Sequence, residues 1–317
     1  MLAPSAFERN LIGAGFVASP AGQQRDLMQP SASVLERVKA LMTSAPVDWR
    51  EMRRGHTAAE TWVMRFEDGR SAFVKHATDE QTATWLKSER SVYEFVQKDF
   101  LPELIGWDGE EFPILMLEDL SGARTVPPWQ EDDVRRVFEL LERLEQTKLP
   151  EIFRSLTDYP EPFNGWQEIA KDPLAFLKSG FATPGWLEAA LPVLVEAETA
   201  ADLKGDSLVH TDFRSDNIFF HRDRTLLIDW NWACKGNPSF DLVSWLPTLH
   251  TEGGPPPWEF TLDEPNLIAM QAGYLAHRVS KPPADLNDSI RRMQQKQLRS
   301  ALPWAAKALG LPSPDPT

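Results

Sequence analysis

The most constraining feature of this chain lies at residues 207–230, which read SLVHTDFRSDNIFFHRDRTLLIDW. Short apolar runs at 208–209, 218–220 and 226–228 predict strands that end at the surface of a core. The polar residues between and after these runs are His210, Asp212, Asn217 and Asp229. Chemistry concentrates at strand ends, and this spacing brings one candidate base and two oxygen ligands near one point. That is the minimum set for metal-assisted phosphoryl transfer.

Composition excludes several other classes of protein. The chain has 317 residues, which suits two lobes or domains, and its net charge of -14 disfavours nucleic-acid binding. A single cysteine, Cys234, excludes an internal disulfide framework and fits a reducing compartment. No apolar run approaches the roughly 20 residues of a membrane span. The charged residues Glu8 and Arg9 also argue against a secretory signal. We therefore expect a cytoplasmic protein with no membrane association and no obligate protein partner.

A hairpin is predicted early in the chain. The apolar runs at 62–66 and 71–75 flank Asp68 and Gly69, a strong short-range turn signal. The segment before the hairpin, 53–61, contains Gly55 and is rich in small residues. It predicts either a plain loop between strands or a turn whose backbone N–H groups lie over phosphates.

The next segment predicts a helix that carries a buried carboxylate. Thr78 and Gln81 form a capping-box pattern, and the helix is expected to continue to about residue 98. Glu89 falls inside the apolar stripe, whereas Glu94 lies on the polar face. An unpaired buried charge costs about 3–5 kcal/mol, so Glu89 needs a partner. Lys75, at the end of the preceding strand, is the candidate.

The remaining segments predict mostly helices. Residues 112–120 read FPILMLEDL and predict a strand that leads into a hinge between lobes. Helices are expected at 130–148 and 186–203, with one or two short helices in the aromatic, loop-rich segment 150–186. Thr261 and Glu264 predict a capping box for a helix to about residue 279. A last helix, containing Leu286 and Leu298, is expected to end before Pro303.

Four motifs together resemble the aminoglycoside phosphotransferase family, a branch of the protein-kinase-like superfamily that includes choline kinases. They read AFVKHA, ILMLEDL, LVHTDFRSDNIFF and LLIDWNWACKGNPSFDL, and the resemblance covers roughly residues 53–246. It implies an α+β, bilobal protein-kinase-like fold. Residues 1–118 would form an N-lobe of antiparallel sheet plus helix, with an N-terminal extension, that binds nucleotide. Residues 119–317 would form a mostly helical C-lobe with the catalytic loop and the acceptor-binding helices.

The resemblance implies roles for the catalytic loop and its surroundings. Asp212 would accept or orient the proton of the substrate hydroxyl. Arg214 would steady the transferred phosphate, and His210 would brace the loop. Asn217 and Asp229 would supply oxygen ligands to Mg²⁺. Asp241 resembles a family position that supports the catalytic loop.

The resemblance also implies how a nucleotide is held. Lys75 would contact the α- and β-phosphates and be held by Glu89. Glu118 and Leu120 would offer backbone groups to the base, and the loop at Gly55 would lie near the phosphates. The expected cofactors are ATP, or GTP, and Mg²⁺. Asp229 is followed by Trp-Asn rather than by the Phe-Gly of protein kinases, which points to the small-molecule branch.

The acceptor stays open at this stage. It is expected to be a small hydroxylated molecule, and a cationic aminoglycoside or other antibiotic would suit residues 101–162, whose charge is 6 − 15 = −9. Solvated helix faces also explain that charge. Residues 278–317 carry a charge of 7 − 3 = +4, which departs from the acidic pocket surface expected for a polycationic acceptor. Choline-like, sugar, nucleoside and homoserine-like acceptors are the alternatives.

Two further readings compete with a kinase. A non-catalytic nucleotide-binding protein on the same fold would have lost a base or a metal ligand, and all of them are present. A metal-dependent phosphohydrolase would use His210, Asp212, His221 and Asp229. Two-metal hydrolases need more convergent ligands, and this reading leaves the predicted pair of Lys75 and Glu89 unexplained.

Overall fold

A computed structural model describes residues 29–52, 59–159, 163–281 and 288–314 of the chain. Its contacts group into two compact units. The sheet unit comprises the described residues of 12–126 together with 216–233, and the helical unit comprises those of 127–215 and 234–317. Within these ranges, no helix has the length and apolar character that a membrane crossing requires. The predicted assignment of nucleotide binding to residues 1–118 and of catalysis to 119–317 stays a prediction.

The sheet unit is built on five antiparallel strands. Its elements in chain order are α1 (Ala32–Met42), β1 (Pro46–Glu51), β2 (Glu60–Phe66), β3 (Ser71–His76), α2 (Glu80–Phe95), β4 (Leu104–Asp108) and β5 (Ile114–Glu118). The strand order is β1-β2-β3-β5-β4. The predicted hairpin of β2 and β3 is confirmed, and Gly69 has a φ of 85°, which the absence of a Cβ permits.

The core of the sheet unit follows from strand alternation. Trp62, Met64 and Phe66 of β2 are buried on one face, together with alternate residues of the neighbouring strands. Val34 and Val38 of α1, spaced by four residues, belong to the same cluster.

Helix α2 begins one residue later than its predicted capping box implies. The N-cap is Asp79, whose carboxylate accepts the Thr82 N–H at 2.7 Å, while the Thr82 hydroxyl accepts the Asp79 N–H at 3.1 Å. The predicted box of Thr78 and Gln81 is therefore wrong. An aspartate caps as well as a threonine does, and a hydroxyl at the third helical position can complete the box.

A second sheet completes the sheet unit. Strands β6 (Arg124–Thr125), β8 (Ile218–His221) and β9 (Arg224–Leu227) form it in the order β6-β8-β9. Strands β8 and β9 are a hairpin with Ile218 opposite Leu227 and His221 opposite Arg224. A 3₁₀ turn, Trp230–Trp232, follows β9, and its Trp232 ring lies 6.0 Å from that of Trp85 in α2.

The helical unit contains seven α-helices among the described residues. They are α3 (Glu131–Glu145), α4 (Gly165–Lys171), α5 (Pro173–Leu177), α6 (Pro184–Thr199), α7 (Ser239–Thr251), α8 (Pro265–Ser280) and α9 (Asp288–Ala308). Strands β7 (Ser207–Val209) and β10 (Cys234–Gly236) form an antiparallel pair. Helix α8 packs against α4, α6 and α9 and is buried on most of its surface. Together with the sheet unit, this arrangement confirms the predicted α+β fold.

Two predicted helix boundaries in this unit are wrong. Pro303 lies inside α9 rather than after it. An internal proline costs about 3 kcal/mol, and the burial of Leu302 and Trp304 on either side of it outweighs that cost. Helix α8 begins with Pro265, and Glu264 caps it without a side-chain hydrogen bond, so the predicted box with Thr261 does not form.

Candidate active site

A buried lysine with two carboxylates lies at the centre of the sheet unit. Lys75 projects from β3, and its Nζ lies 2.9 and 2.8 Å from the two carboxylate oxygens of Glu89 in α2. The same Nζ donates to Oδ1 of Asp229 at 2.6 Å. The Glu89 side chain is 1% exposed, whereas that of Asp229 is 50% exposed. The predicted pair of Lys75 and Glu89 is confirmed, and Asp229 is a partner that the sequence did not reveal.

The electrostatics of this cluster favour a charged lysine. Burial lowers the pKa of Lys75, but the carboxylates of Asp229 and Glu89 outweigh it, so the pKa lies above its ordinary value. Burial raises the pKa of Glu89; Lys75 opposes this rise, and the Asp229 carboxylate adds to it. With both carboxylates ionised the cluster carries one net negative charge, and its exposed part is Asp229.

The β8–β9 hairpin brings Asn217 and Asp229 to the same end. Asn217 directly precedes β8, and its carbonyl accepts the N–H of Ile228, the residue before Asp229, at 3.1 Å. Asp229 has a φ of 68°, in the left-handed region that costs a non-glycine residue about 1–2 kcal/mol. One amide oxygen and one half-exposed carboxylate suit Mg²⁺, which takes one or two protein oxygens and completes its shell with phosphates and water.

The described residues do not support the phosphohydrolase reading. In the part of the chain that the structure describes, no group of three or more His, Cys, Asp and Glu residues could hold a metal ion. His221 ends β8 at the hairpin turn, opposite to the end that carries Asp229. The four residues of β8 separate these ends by about 13 Å, which is too far for one shared metal.

The segment 210–214, predicted to belong to the catalytic loop, follows β7 in the helical unit and is fixed through its backbone. The N–H groups of His210 and Thr211 donate to Oδ2 and Oδ1 of Asp241 at 2.7 and 2.9 Å. Asp241 lies in the first turn of α7 and is fully buried, and burial raises its pKa to about 7 although both N–H groups lower it. The predicted supporting position of Asp241 is confirmed. His210 is itself completely buried, which suits bracing rather than proton transfer.

Asp212 and Arg214 face each other in the same loop. The Arg214 Nε lies 3.3 Å from Oδ1 of Asp212, and both side chains are largely buried. Thr211, between His210 and Asp212, has a φ of 67°. Backbone strain of this kind persists where surrounding contacts fix the chain, and it is frequent at functional sites.

Sequence reasoning missed a second support of this loop. Glu252, at the C-cap of α7, accepts the Ser215 hydroxyl at 2.6 Å and the Trp129 indole N–H at 2.8 Å. Ser215 directly follows Arg214, so this bridge holds the end of the motif as Asp241 holds its start. No local pattern points to Glu252, because its partners are 37 and 123 residues away in the chain.

Glu118 and Leu120 are the residues predicted to contact the nucleotide base. Glu118 is the last residue of β5, and Leu120 lies two residues after it. The Glu118 N–H donates to the Glu103 carbonyl at 2.9 Å, and the Leu120 carbonyl accepts the Ala123 N–H at 2.9 Å. The Glu118 side chain accepts the Glu103 N–H at 3.1 Å and an Arg224 guanidinium N–H. Gly55, predicted to lie near the phosphates, is outside the described residues.

Comparisons with known proteins concern the family and the fold of the chain. The model of the phosphotransferase enzyme family matches residues 48–279, whereas no curated protein matches the chain significantly.

Solved structures with a similar fold include a choline/ethanolamine kinase family protein from Mesorhizobium loti, at 14% identity over 87% of this chain and 97% of that chain, with a TM-score of 0.56. An aminoglycoside phosphotransferase from Alicyclobacillus acidocaldarius is 12% identical over 91% and 97%, with a TM-score of 0.54. Spectinomycin phosphotransferase, solved with ADP and spectinomycin, is 14% identical over 86% and 95%, with a TM-score of 0.52. At such identities the likeness concerns the fold.

Proposed function

Because this chain belongs to the phosphotransferase enzyme family, we propose that it transfers the γ-phosphate of ATP, or of GTP, to a hydroxyl group of a small molecule with the help of Mg²⁺. The observation that carries this proposal is the buried Lys75 between Glu89 and Asp229. A lysine held by two carboxylates stays charged and immobile, which suits a phosphate-binding cation. Spectinomycin phosphotransferase, the neighbour solved with ADP, supports a nucleotide donor.

Asn217 and Asp229 would hold Mg²⁺. When bound, the ion would neutralise charge on the phosphate oxygens and orient them. The residues themselves supply the amide and carboxylate oxygens at one end of the β8–β9 hairpin, and the contact with Lys75 fixes the orientation of Asp229. The net negative charge of the lysine cluster favours a divalent cation there.

Asp212 would accept or orient the proton of the acceptor hydroxyl. Arg214 holds the Asp212 carboxylate from one side, and Asp241 fixes the backbone before it. Such positioning is needed because a general base acts only within hydrogen-bond reach of the proton. We propose that Arg214 also steadies the transferred phosphate and that His210 acts only by bracing the loop.

The base of the nucleotide would meet the end of β5. The Glu118 N–H and the Leu120 carbonyl already have backbone partners. The Glu118 carbonyl and the Leu120 N–H are therefore the groups that we assign to base recognition, one as an acceptor and one as a donor.

The acceptor is a small hydroxylated molecule in this proposal. One neighbour binds spectinomycin, an antibiotic, and another is a choline/ethanolamine kinase family protein. Both antibiotics and metabolites are therefore candidate acceptors. An aminoglycoside-like or other antibiotic acceptor is our first choice for testing, with choline-like, sugar and homoserine-like hydroxyl compounds as the second set. Cytoplasmic localisation remains part of this proposal.

Two measurements test the function. Calorimetry with ATP or GTP and Mg²⁺ should detect binding, and absence of binding at millimolar concentrations of both nucleotides would contradict the proposal. ADP release is then measured against a panel of both acceptor sets. Asp212→Asn should reduce acceptor-dependent release by about 10²–10⁴-fold while nucleotide affinity persists, and the exposed Asp158→Asn of the same unit is the control. Release that survives Asp212→Asn would refute the role of Asp212.

A further inference from the structure

We infer that Arg224 is a positioning residue that couples the base-binding end of β5 to the metal-binding end of the β8–β9 hairpin. The inference rests on the proposed function and assigns to it a residue outside the family motifs. The contacts on which it rests lie within the sheet unit.

The closed end of the hairpin is attached to β5 through one carboxylate. An Arg224 guanidinium N–H donates to Oε1 of Glu118, and the ring Nδ1 of His221, the cross-strand neighbour of Arg224, lies 3.4 Å from the same oxygen. The other Glu118 oxygen accepts the N–H of Glu103, the residue before β4, at 3.1 Å. Glu118 therefore ties the hairpin turn to the end of β5 and to the residue that precedes β4.

The open end of the hairpin is attached to β3. Asp229, two residues after β9, contacts Lys75, while Asn217 directly precedes β8. Strands β3 and β5 are neighbours, with Ala72 opposite Glu118. Lys75 is three residues beyond Ala72, about 10 Å along the strand, and the run from Arg224 to Leu227 covers the same distance. The hairpin thus has an anchor at each end on adjacent strands.

The segment after Glu118 is attached to the same hairpin. Strand β6 pairs with β8, with Arg124 opposite Phe220, and the Arg124 guanidinium lies 4.7 Å from the centre of the Phe220 ring. Residues 119–123, which include Leu120, are therefore held to the hairpin on both sides. The hairpin that carries Asn217 and Asp229 is thus joined to the segment of Glu118 and Leu120, and this joint sets where the metal ligands lie relative to that segment.

The strength of the Arg224 contact suits this role. The side chains of Arg224 and Glu118 are 30% and 20% exposed, so water screens them less than an open surface pair. The pKa of Glu118 is lowered, because contacts from Arg224 and the Glu103 N–H outweigh the effect of burial, which raises it. A carboxylate held in this way orients the backbone that carries it.

The test compares ATP affinity with Mg²⁺ and without it, by calorimetry on the full chain. Without the Arg224 contact, the end of β5 keeps its pairing with β3 and its bond to the Glu103 carbonyl, so it and Lys75 still serve metal-free ATP. The hairpin, which carries the metal ligands, loses one of its anchors. Arg224→Gln should therefore weaken ATP binding in the presence of Mg²⁺ by about fivefold, the upper end for a partly exposed ion pair. Binding in EDTA should change by less than about twofold. Arg224→Lys, which keeps the charge, should recover part of the loss.

Arg222→Gln is the matched control, since Arg222 lies in the same hairpin turn and is exposed. It should bind as wild type does under both conditions. An equal loss of affinity with and without Mg²⁺, or equal behaviour of Arg224→Gln and Arg222→Gln, would overturn the inference. If Arg224→Gln fails to fold, Arg224→Lys decides by the same ratio of affinities. Wild-type protein that binds no nucleotide would instead refute the proposed function.

Discussion

Replacing Lys75 by Met is expected to destabilise the protein more than replacing Glu89 by Gln, although the two residues form one ion pair. In the native cluster one ammonium serves two carboxylates, which gives 1 − 2 = −1. Glu89→Gln removes one negative charge and leaves Lys75 paired with Asp229, so the cluster becomes neutral. Lys75→Met removes the only cation of the cluster and leaves Glu89 buried beside Asp229, at a charge of −2.

The magnitudes follow from these charges. In Glu89→Gln the amide oxygen can still accept from Lys75, so the loss is that of one charge-assisted hydrogen bond, about 1.5–3 kcal/mol. In Lys75→Met the Glu89 carboxylate, only 1% exposed, loses its cation. An uncompensated buried charge costs about 3–5 kcal/mol. The free energy of unfolding should therefore fall by roughly 2 kcal/mol more in Lys75→Met than in Glu89→Gln.

Urea unfolding at pH 8 and pH 5, followed by tryptophan fluorescence, measures the difference. The pKa of Glu89 is already raised in the folded protein, and it rises further without Lys75. A carboxyl group with a raised folded pKa contributes stability that is lost as pH increases. The deficit of Lys75→Met relative to wild type should thus be smaller at pH 5 than at pH 8. Equal destabilisation by the two substitutions, or a larger deficit at pH 5, would refute the reasoning.

Two further predictions concern the helical unit. Gly165→Ala should lower the free energy of unfolding by about 3 kcal/mol or more, because the new Cβ would lie 1.9 Å from the Gly273 carbonyl oxygen. Gly185→Ala is the control: its Cβ would have no atom within 4 Å, so this substitution should not destabilise the protein. The folded pKa of Asp241, about 7, exceeds the unfolded value of about 3.9, so this group contributes stability that is lost as pH rises towards 7. The free energy of unfolding of the wild type should therefore fall more steeply between pH 5 and pH 7 than that of the Asp241→Asn variant. Parallel urea-unfolding profiles against pH would contradict the second prediction.

Periodicity predicts which face a residue occupies, and this is why Glu89 could be identified as buried. Its partner was also predictable, since Lys75 lies only 14 residues earlier, on the preceding strand. Asp229 is 154 residues from Lys75, and Arg224 is 106 from Glu118. No local pattern fixes such contacts, because they depend on how the strands order in the sheet. Pro303 shows the same limit, since burial overrides a local helix-stop signal.

Backbone conformation at the two motifs adds information that the sequence does not contain. Thr211 and Asp229, directly before the proposed base and at the proposed metal ligand, both have left-handed φ values. Each costs about 1–2 kcal/mol, so neighbouring contacts must hold it. For Asp229 these contacts are the Ile228 N–H on Asn217 and the Trp230 indole N–H, which donates to Leu227 at 2.8 Å. Contacts on both sides of Asp229 thus offset the strain, and the strained backbone directs a half-exposed carboxylate towards Lys75. A residue whose only task was to fill the core would not require this arrangement.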